Sequence, residues 1–218
     1  MTLTQPLSLT EHAVLHGVSW EDYEKILSEI GDGSTRVTYF DGNMEIMSPL
    51  PEHEDEKTII ARLVEELTVE MGLPNRGFGS TTFRRKDRQS GLEPDECFYI
   101  ANESRVRGMK RFDPKKYPPP DLAIEIDVSR RSIPKEPIYA RLGVPEIWRY
   151  DGRRLSVLVL IEDGTCKGVE TSLIFPFLPI DQFVRFVHRM IAEEPNGVIR
   201  EFRKWARAVK RKTRRRSS

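Results

Sequence analysis

Asp121-Leu-Ala-Ile-Glu-Ile-Asp-Val128 carries the clearest strand pattern in the chain. Leu122, Ile124, Ile126 and Val128 fall on one face, and Asp121, Ala123, Glu125 and Asp127 on the other, the period of two expected of a strand. The Leu-Ile-Ile-Val face suits a strand that packs under helices, well inside a sheet. Carboxylates on the opposite face are costly to bury unless water, cations or a metal meet them. A solvated face is the simplest account of those acids, but the apolar partner face argues against a peripheral strand.

The segment before it reads as a neighbouring strand, Glu93-Pro-Asp-Glu-Cys-Phe-Tyr-Ile100, followed by a charged linker from about Asn102 to Lys116. Pro94 is tolerated only at a strand start, an edge or a bulge, so a bend there can aim Asp95 off the regular pleat. Two carboxylates on adjacent strands, Asp95 and Glu125, form a hard oxygen site of the kind that suits Mg²⁺ or Mn²⁺. Ten residues beyond Glu125, Lys135 opens a helix that contains Ile138, Tyr139 and Leu142 and stops at Gly143. A helix that follows a strand folds back over the sheet, which brings the Lys135 ammonium within reach of the same cavity. There it can orient a water and offset phosphate charge.

Working outward, Pro145–Tyr150 and Arg154–Glu162 read as strands joined at Asp151-Gly152, with a further turn at Asp163-Gly164. Helical spacing predicts a helix over Asp181–Glu194 and a last basic helix running toward Val209. Upstream, Ser19-Trp-Glu-Asp22 opens a helix ended by Gly31-Asp-Gly33, and Arg36–Phe40 and Asn43–Met47 make a hairpin about Asp41-Gly42. A long helix from about Glu52 to Met71 carries the apolar stripe Ile59, Ile60, Leu63, Val64 and Leu67. His53 and Glu56 lie in series with that stripe, at the helix's open end. A strand is expected near Gly77–Arg85. The first 18 residues lack sustained periodicity. Strands mixed with helices predict an α/β fold with a mixed sheet covered by helices.

The chain has 218 residues, 38% hydrophobic and 32% charged, enough for one domain with an appended arm. Three parts are expected: an arm at 1–18, a main domain at 19–195 and a basic helix and tail at 196–218. No run of 18 apolar residues occurs, so no membrane span is expected. Cys97 and Cys166 cannot build a disulfide framework, and the opening residues lack a secretory pattern. These features read as a cytoplasmic chain. From Arg200 to Ser218 ten Lys or Arg stand against one Glu, a balance of +9; with a net charge of +1 this leaves −8 for residues 1–199. Such a tail can track phosphates or remain a solvated end.

Glu93-Pro-Asp95, Pro120-Asp-Leu-Ala-Ile-Glu-Ile-Asp127 and Ile138-Tyr-Ala-Arg-Leu-Gly-Val-Pro-Glu-Ile-Trp148 occur in order, preceded by Met44-Glu-Ile-Met-Ser-Pro-Leu-Pro-Glu-His53. Together these segments resemble the Uma2 family, also called DUF820, within the PD-(D/E)XK nuclease superfamily. The resemblance spans about residues 15 to 190. It implies a restriction-endonuclease-like α/β fold, a central mixed β-sheet flanked by helices. Asp95 matches the motif aspartate and Glu125 its second acid, the pair that would bind Mg²⁺. The place two residues after the second acid, a lysine in the plain motif, holds Asp127 here, which can take a metal or a salt bridge. Lys135 stands where the family draws its lysine from the following helix, and His53 matches a histidine of the first long helix.

The function implied is metal-assisted hydrolysis of DNA phosphodiester bonds. Catalysis would rest on Asp95, Glu125, Lys135 and His53, and metal ligation on Asp95, Glu125 and Asp127, in a chain that can act as a homodimer. A different class stays open: a nuclease fold whose chemistry has decayed, acting as a nucleic-acid-binding or accessory protein. Asp127 in the lysine place and the acidic body favour that class. A third class is an oligomeric interaction protein with neither activity.

Overall fold

Alternating strands and tight turns build two sheets rather than one. The computed structural model describes residues 12–31, 35–48, 51–126 and 133–216, with side chains except at 12, 51–53 and 213–216. The strands are β1 (His12–His16), β2 (Arg36–Phe40), β3 (Asn43–Met47), β4 (Arg76–Gly77), β5 (Phe83–Arg85), β6 (Ser90–Leu92), β7 (Glu96–Tyr99), β8 (Leu122–Ile126), β9 (Glu146–Tyr150), β10 (Leu155–Leu160) and β11 (Cys166–Val169). The helices are α1 (Trp20–Ile30), α2 (Pro51–Met71), α3 (Glu136–Leu142), α4 (Ile180–Ala192) and α5 (Pro195–Arg216).

The central sheet runs β11-β10-β9-β8-β7-β4. It is mixed because β8 and β9 pair in parallel through the α3 crossover, while its other pairings are antiparallel. Every residue of β8 is buried. Leu122, Ile124 and Ile126 pack with α2, α4 and α5 on one face, and Ala123 packs with Ile138, Tyr139 and Leu142 of α3 on the other. The expected architecture, a mixed α/β sheet flanked by helices with a basic helical C-terminal segment, is the one observed.

The second sheet, β1-β3-β2-β6-β5, is antiparallel throughout. Its β2–β3 hairpin turns on Asp41 (φ 46°) and Gly42 (φ 79°), the left-handed pair that a two-residue turn demands. Helix α1, capped by Ser19 on the Asp22 N–H at 3.1 Å, lays Trp20 and Tyr23 on Val37, Tyr39 and Met44. Tyr23 sits so close to Gly91 that a Cβ there would lie 2.2 Å from its hydroxyl.

Several local expectations differ from the structure. The strand expected over 77–85 is two short strands, β4 and β5, in different sheets, because the chain leaves one sheet at Gly79 (φ 56°) and enters the other. Between the strands expected near 77–85 and over 93–100, β6 is a further, buried strand. Residues 12–16, within the stretch that lacks periodicity, form edge strand β1, which registers on β3 through backbone hydrogen bonds that need no side-chain pattern. The charged linker after β7 buries Val106 and Met109.

The basic helix α5 is not an appendage. Its Val198, Ile199, Phe202 and Ala206 are buried in the main core. Arg203 pairs with Glu66 at 2.5 and 2.8 Å and Arg207 with Glu70 at 2.6 and 2.9 Å, while Lys210 donates to the carbonyls of Glu70 and Met71. Part of the tail's charge is therefore committed to α2. Among the described residues no helix is long and apolar enough to cross a membrane.

Candidate active site

The β7–β8 register places the two acids. Glu96 faces Ile124, Cys97 faces Ala123 and Phe98 faces Leu122, so Asp95, at the bend just before β7, comes to the end of β8 that carries Glu125 and Ile126. Asp95 Oδ2 accepts the Ile126 N–H at 2.7 Å, which fastens the end of β8 to the turn after Pro94. Both acids are buried, Asp95 at 7% and Glu125 at 3% exposure.

Helix α3 supplies the cation. Lys135 occupies its N-cap position and donates its ammonium to both Glu125 oxygens, at 2.9 and 2.7 Å. Tyr139, one turn on and therefore on the same helix face, donates its hydroxyl to Glu125 Oε1. The helix is held in that orientation by Arg149 to Glu136 at 2.6 Å, and by Arg141, which clamps Asp41 at 2.6 and 2.7 Å in the β2–β3 turn. The Arg141 guanidinium beside Asp41 holds that carboxyl below its ordinary range. The second sheet thus fixes the angle at which α3 presents Lys135 and Tyr139.

Neighbouring carboxylates have other duties. Asp121, on the same strand face as Glu125 in the alternation, accepts from Ile100 N, Asn102 N and Asn102 Nδ2 at 2.7, 2.9 and 2.6 Å, and so fixes the chain after β7. Fully buried Glu146 accepts from Trp148 Nε1, Ser172 Oγ, Leu173 N and Ile174 N, which pins the segment before α4. Glu96, on the α2 side of the sheet, has its carboxyl pushed up by burial, offset in part by the Cys97 N–H.

The sequence-predicted residues divide as follows. Asp95, Glu125 and Lys135 come together. His53 falls in the first turn of α2 with its side chain outside the described residues, and Asp127 is outside them altogether. Glu56, in line with the α2 stripe, lies on the opposite face of the sheet from Glu125. Among the described residues its Oε2 is buried without a hydrogen-bond partner, as is the Tyr150 hydroxyl, and burial raises the Glu56 carboxyl. Burial and then Glu56 push the Tyr150 phenol up to about 12. Tyr139 was legible only as a core residue of its helix; its four-residue spacing from Lys135 was the signal for a shared duty.

As donors, Asp95 and Glu125 are two hard carboxylates on adjacent strands, a set that fits Mg²⁺ or Mn²⁺. Among the described residues no three His, Cys, Asp or Glu side chains gather closely enough to cage a metal. A cation here would therefore share Glu125 with Lys135 and draw further ligands from water, substrate or the segment after β8.

The protein is thus a mixed α/β sheet with two buried carboxylates at the ends of adjacent strands and a helix-borne lysine at its parallel crossover. The Uma2 family, described as "Putative restriction endonuclease", matches residues 20–181, and the chain belongs to it. Among solved structures the chain is similar to a "putative nuclease belonging to DUF820" from Anabaena variabilis ATCC 29413. That protein is 16% identical, the match covers 87% of this chain and 99% of that one, and the TM-score is 0.48. No curated protein matches.

Proposed function

We propose that this chain is a metal-dependent endonuclease that hydrolyses DNA phosphodiester bonds. The observation that carries the reading is the Lys135 ammonium seated on Glu125, with Asp95 fastened to the neighbouring Ile126 N–H. Asp95 and Glu125, joined by Asp127, would hold Mg²⁺ or Mn²⁺, which when bound polarises the phosphate and lowers the pKa of a water. Lys135 has donor capacity beyond its two Glu125 contacts for a phosphate oxygen or the attacking water, and its charge offsets that developing in transfer. Tyr139 restricts Glu125 to one rotamer, so the carboxylate is set before substrate arrives. His53, at the start of α2, is a further catalytic candidate. Cutting both strands of a duplex would favour a two-fold homodimer. A cytoplasmic setting agrees with two free cysteines.

The bidentate Lys135–Glu125 pair also favours a second reading, in which the ammonium stands in for the cation and the chain binds nucleic acid without cutting it. One assay separates the two. Plasmid and single-stranded DNA are incubated with Mg²⁺ or Mn²⁺ and the wild type, Asp95→Ala or Lys135→Ala. Metal-dependent cutting lost in both variants supports the nuclease. Cutting that survives Asp95→Ala removes the assignment, and binding without cutting by any version selects the second reading.

A further inference from the structure

Arg36 opens β2, and its side chain, mostly withdrawn from solvent, makes no hydrogen bond among the described residues. Its side chain is 11% exposed. Its guanidinium lies 3.7 Å from Glu54 Oε1 and 3.7 Å from Glu93 Oε2, beyond hydrogen-bond distance in both cases, and its Nε is buried without a partner. Arginines that serve as structural clamps in this molecule look different. Arg141, Arg203 and Arg207 each grip a carboxylate through two nitrogens at 2.5 to 2.9 Å. The Nε donor is buried unsatisfied, which is costly, and the terminal nitrogens stand at ion-pair distance from two carboxylates with hydrogen-bond capacity left for a further ligand.

Its position says which ligand. Glu93 stands two residues before Asp95, so their Cα atoms are at most about 7 Å apart. Glu54 lies in the first turns of α2 and is 46% exposed, so this contact reaches the surface. The guanidinium therefore lies near the segment that carries Asp95, and its planar donors match a phosphate. We infer that Arg36 binds a backbone phosphate of the nucleic acid strand engaged at Asp95 and Glu125, with Glu93 and Glu54 pairing with the guanidinium until phosphate competes for it. The inference rests on the nuclease reading for its strand, but its test reads binding rather than cutting.

The test uses the full chain and fluorescein-labelled duplex and single-stranded oligonucleotides, by anisotropy in EDTA across a series of KCl concentrations. Arg36→Met should weaken binding about tenfold, the loss of one charged hydrogen-bonded contact, and lower the salt slope by about one. Arg36→Lys should restore part of the affinity. Glu93→Gln, which removes the competing charge and keeps an acceptor for Thr82, should tighten binding several-fold. Unchanged affinity and slope in Arg36→Met overturn the inference. If that variant does not fold, Glu93→Gln decides, and binding that fails to tighten overturns it. Cutting lost in Asp95→Ala beside unaltered binding in Arg36→Met removes Arg36 and leaves the nuclease. Weakened binding in Arg36→Met with no cutting by the wild type does the reverse. A wild type that binds no oligonucleotide at any salt sinks both.

Discussion

Lys135 reaches both oxygens of Glu125, at 2.9 and 2.7 Å, from ten residues further along the chain. The two side chains are 9% and 4% exposed, so each charge depends on the other to stay inside the protein. A buried pair of this kind stabilises little over an apolar replacement, whereas breaking it strands a charge. Its retention in the core is consistent with a duty other than stability.

Glu125→Gln should therefore lower unfolding free energy by about 3–5 kcal/mol, because the ammonium is left without a counter-charge. The double variant Glu125→Gln with Lys135→Met should recover most of that loss in urea titrations. On the proposed function it should cut no DNA. A double variant as unstable as the single one would show that the pair is structural.

Tyr139→Phe removes one hydroxyl and keeps the ring in its apolar surroundings. A cost of about 1–2 kcal/mol is expected from the lost bond to a charged group. Cleavage should fall without vanishing, since Lys135 still holds Glu125. Denaturant unfolding beside a rate measurement tests both, and wild-type stability would remove the restraint assigned to this hydroxyl.

The basic C-terminal segment should behave as two parts. Cutting the chain at Arg200 removes buried Phe202 and Ala206, and Phe202→Ala alone should cost about 3–5 kcal/mol. Neutralising only Arg211 and Lys212 should leave thermal unfolding unchanged. The Arg203–Glu66 and Arg207–Glu70 pairs, whose guanidinium groups meet solvent, should contribute little. Calorimetry on the variants would contradict this partition if the Arg200 truncation melted like the wild type.

Burial raises the Glu96 carboxyl, so the folded state holds its proton more tightly than the unfolded one. Between the ordinary glutamate value and the raised one, the native state binds more protons, and stability declines as pH rises. The contribution is complete below about 4.3 and is lost as pH climbs through the folded value. Glu96→Gln should flatten that part of the pH–stability curve and raise stability at neutral pH. An unchanged slope in pH-resolved urea titrations would exclude Glu96 as its source.

Much of this molecule was legible in residue order. Period-two alternation marked β8, Asp41-Gly42 marked the hairpin, and the α2 stripe from Ile59 to Leu67 was buried as its spacing required. These are local patterns, and local rules read them. Asp95, Glu125 and Lys135 were legible because two acids on consecutive strands and a helix after the second constrain one another through the β7–β8 ladder and the crossover. Which sheet each short strand joins was not legible: β4 and β5 are set by backbone pairing with partners far along the chain. Nor was the fate of individual charges. Asp121 and Glu125 share one strand face in the sequence, yet one is saturated by the chain after β7 and the other receives Lys135 and Tyr139. Arg203 and Arg36 look alike as letters, and only packing made the first a clamp on Glu66 and left the second between Glu54 and Glu93 at 3.7 Å, without a hydrogen bond among the described residues. Sequence determined the elements and the kinds of groups available, since those follow from each residue and its near neighbours. Tertiary structure alone decided which charges meet, because burial and pairing depend on surfaces that come together only when the chain closes.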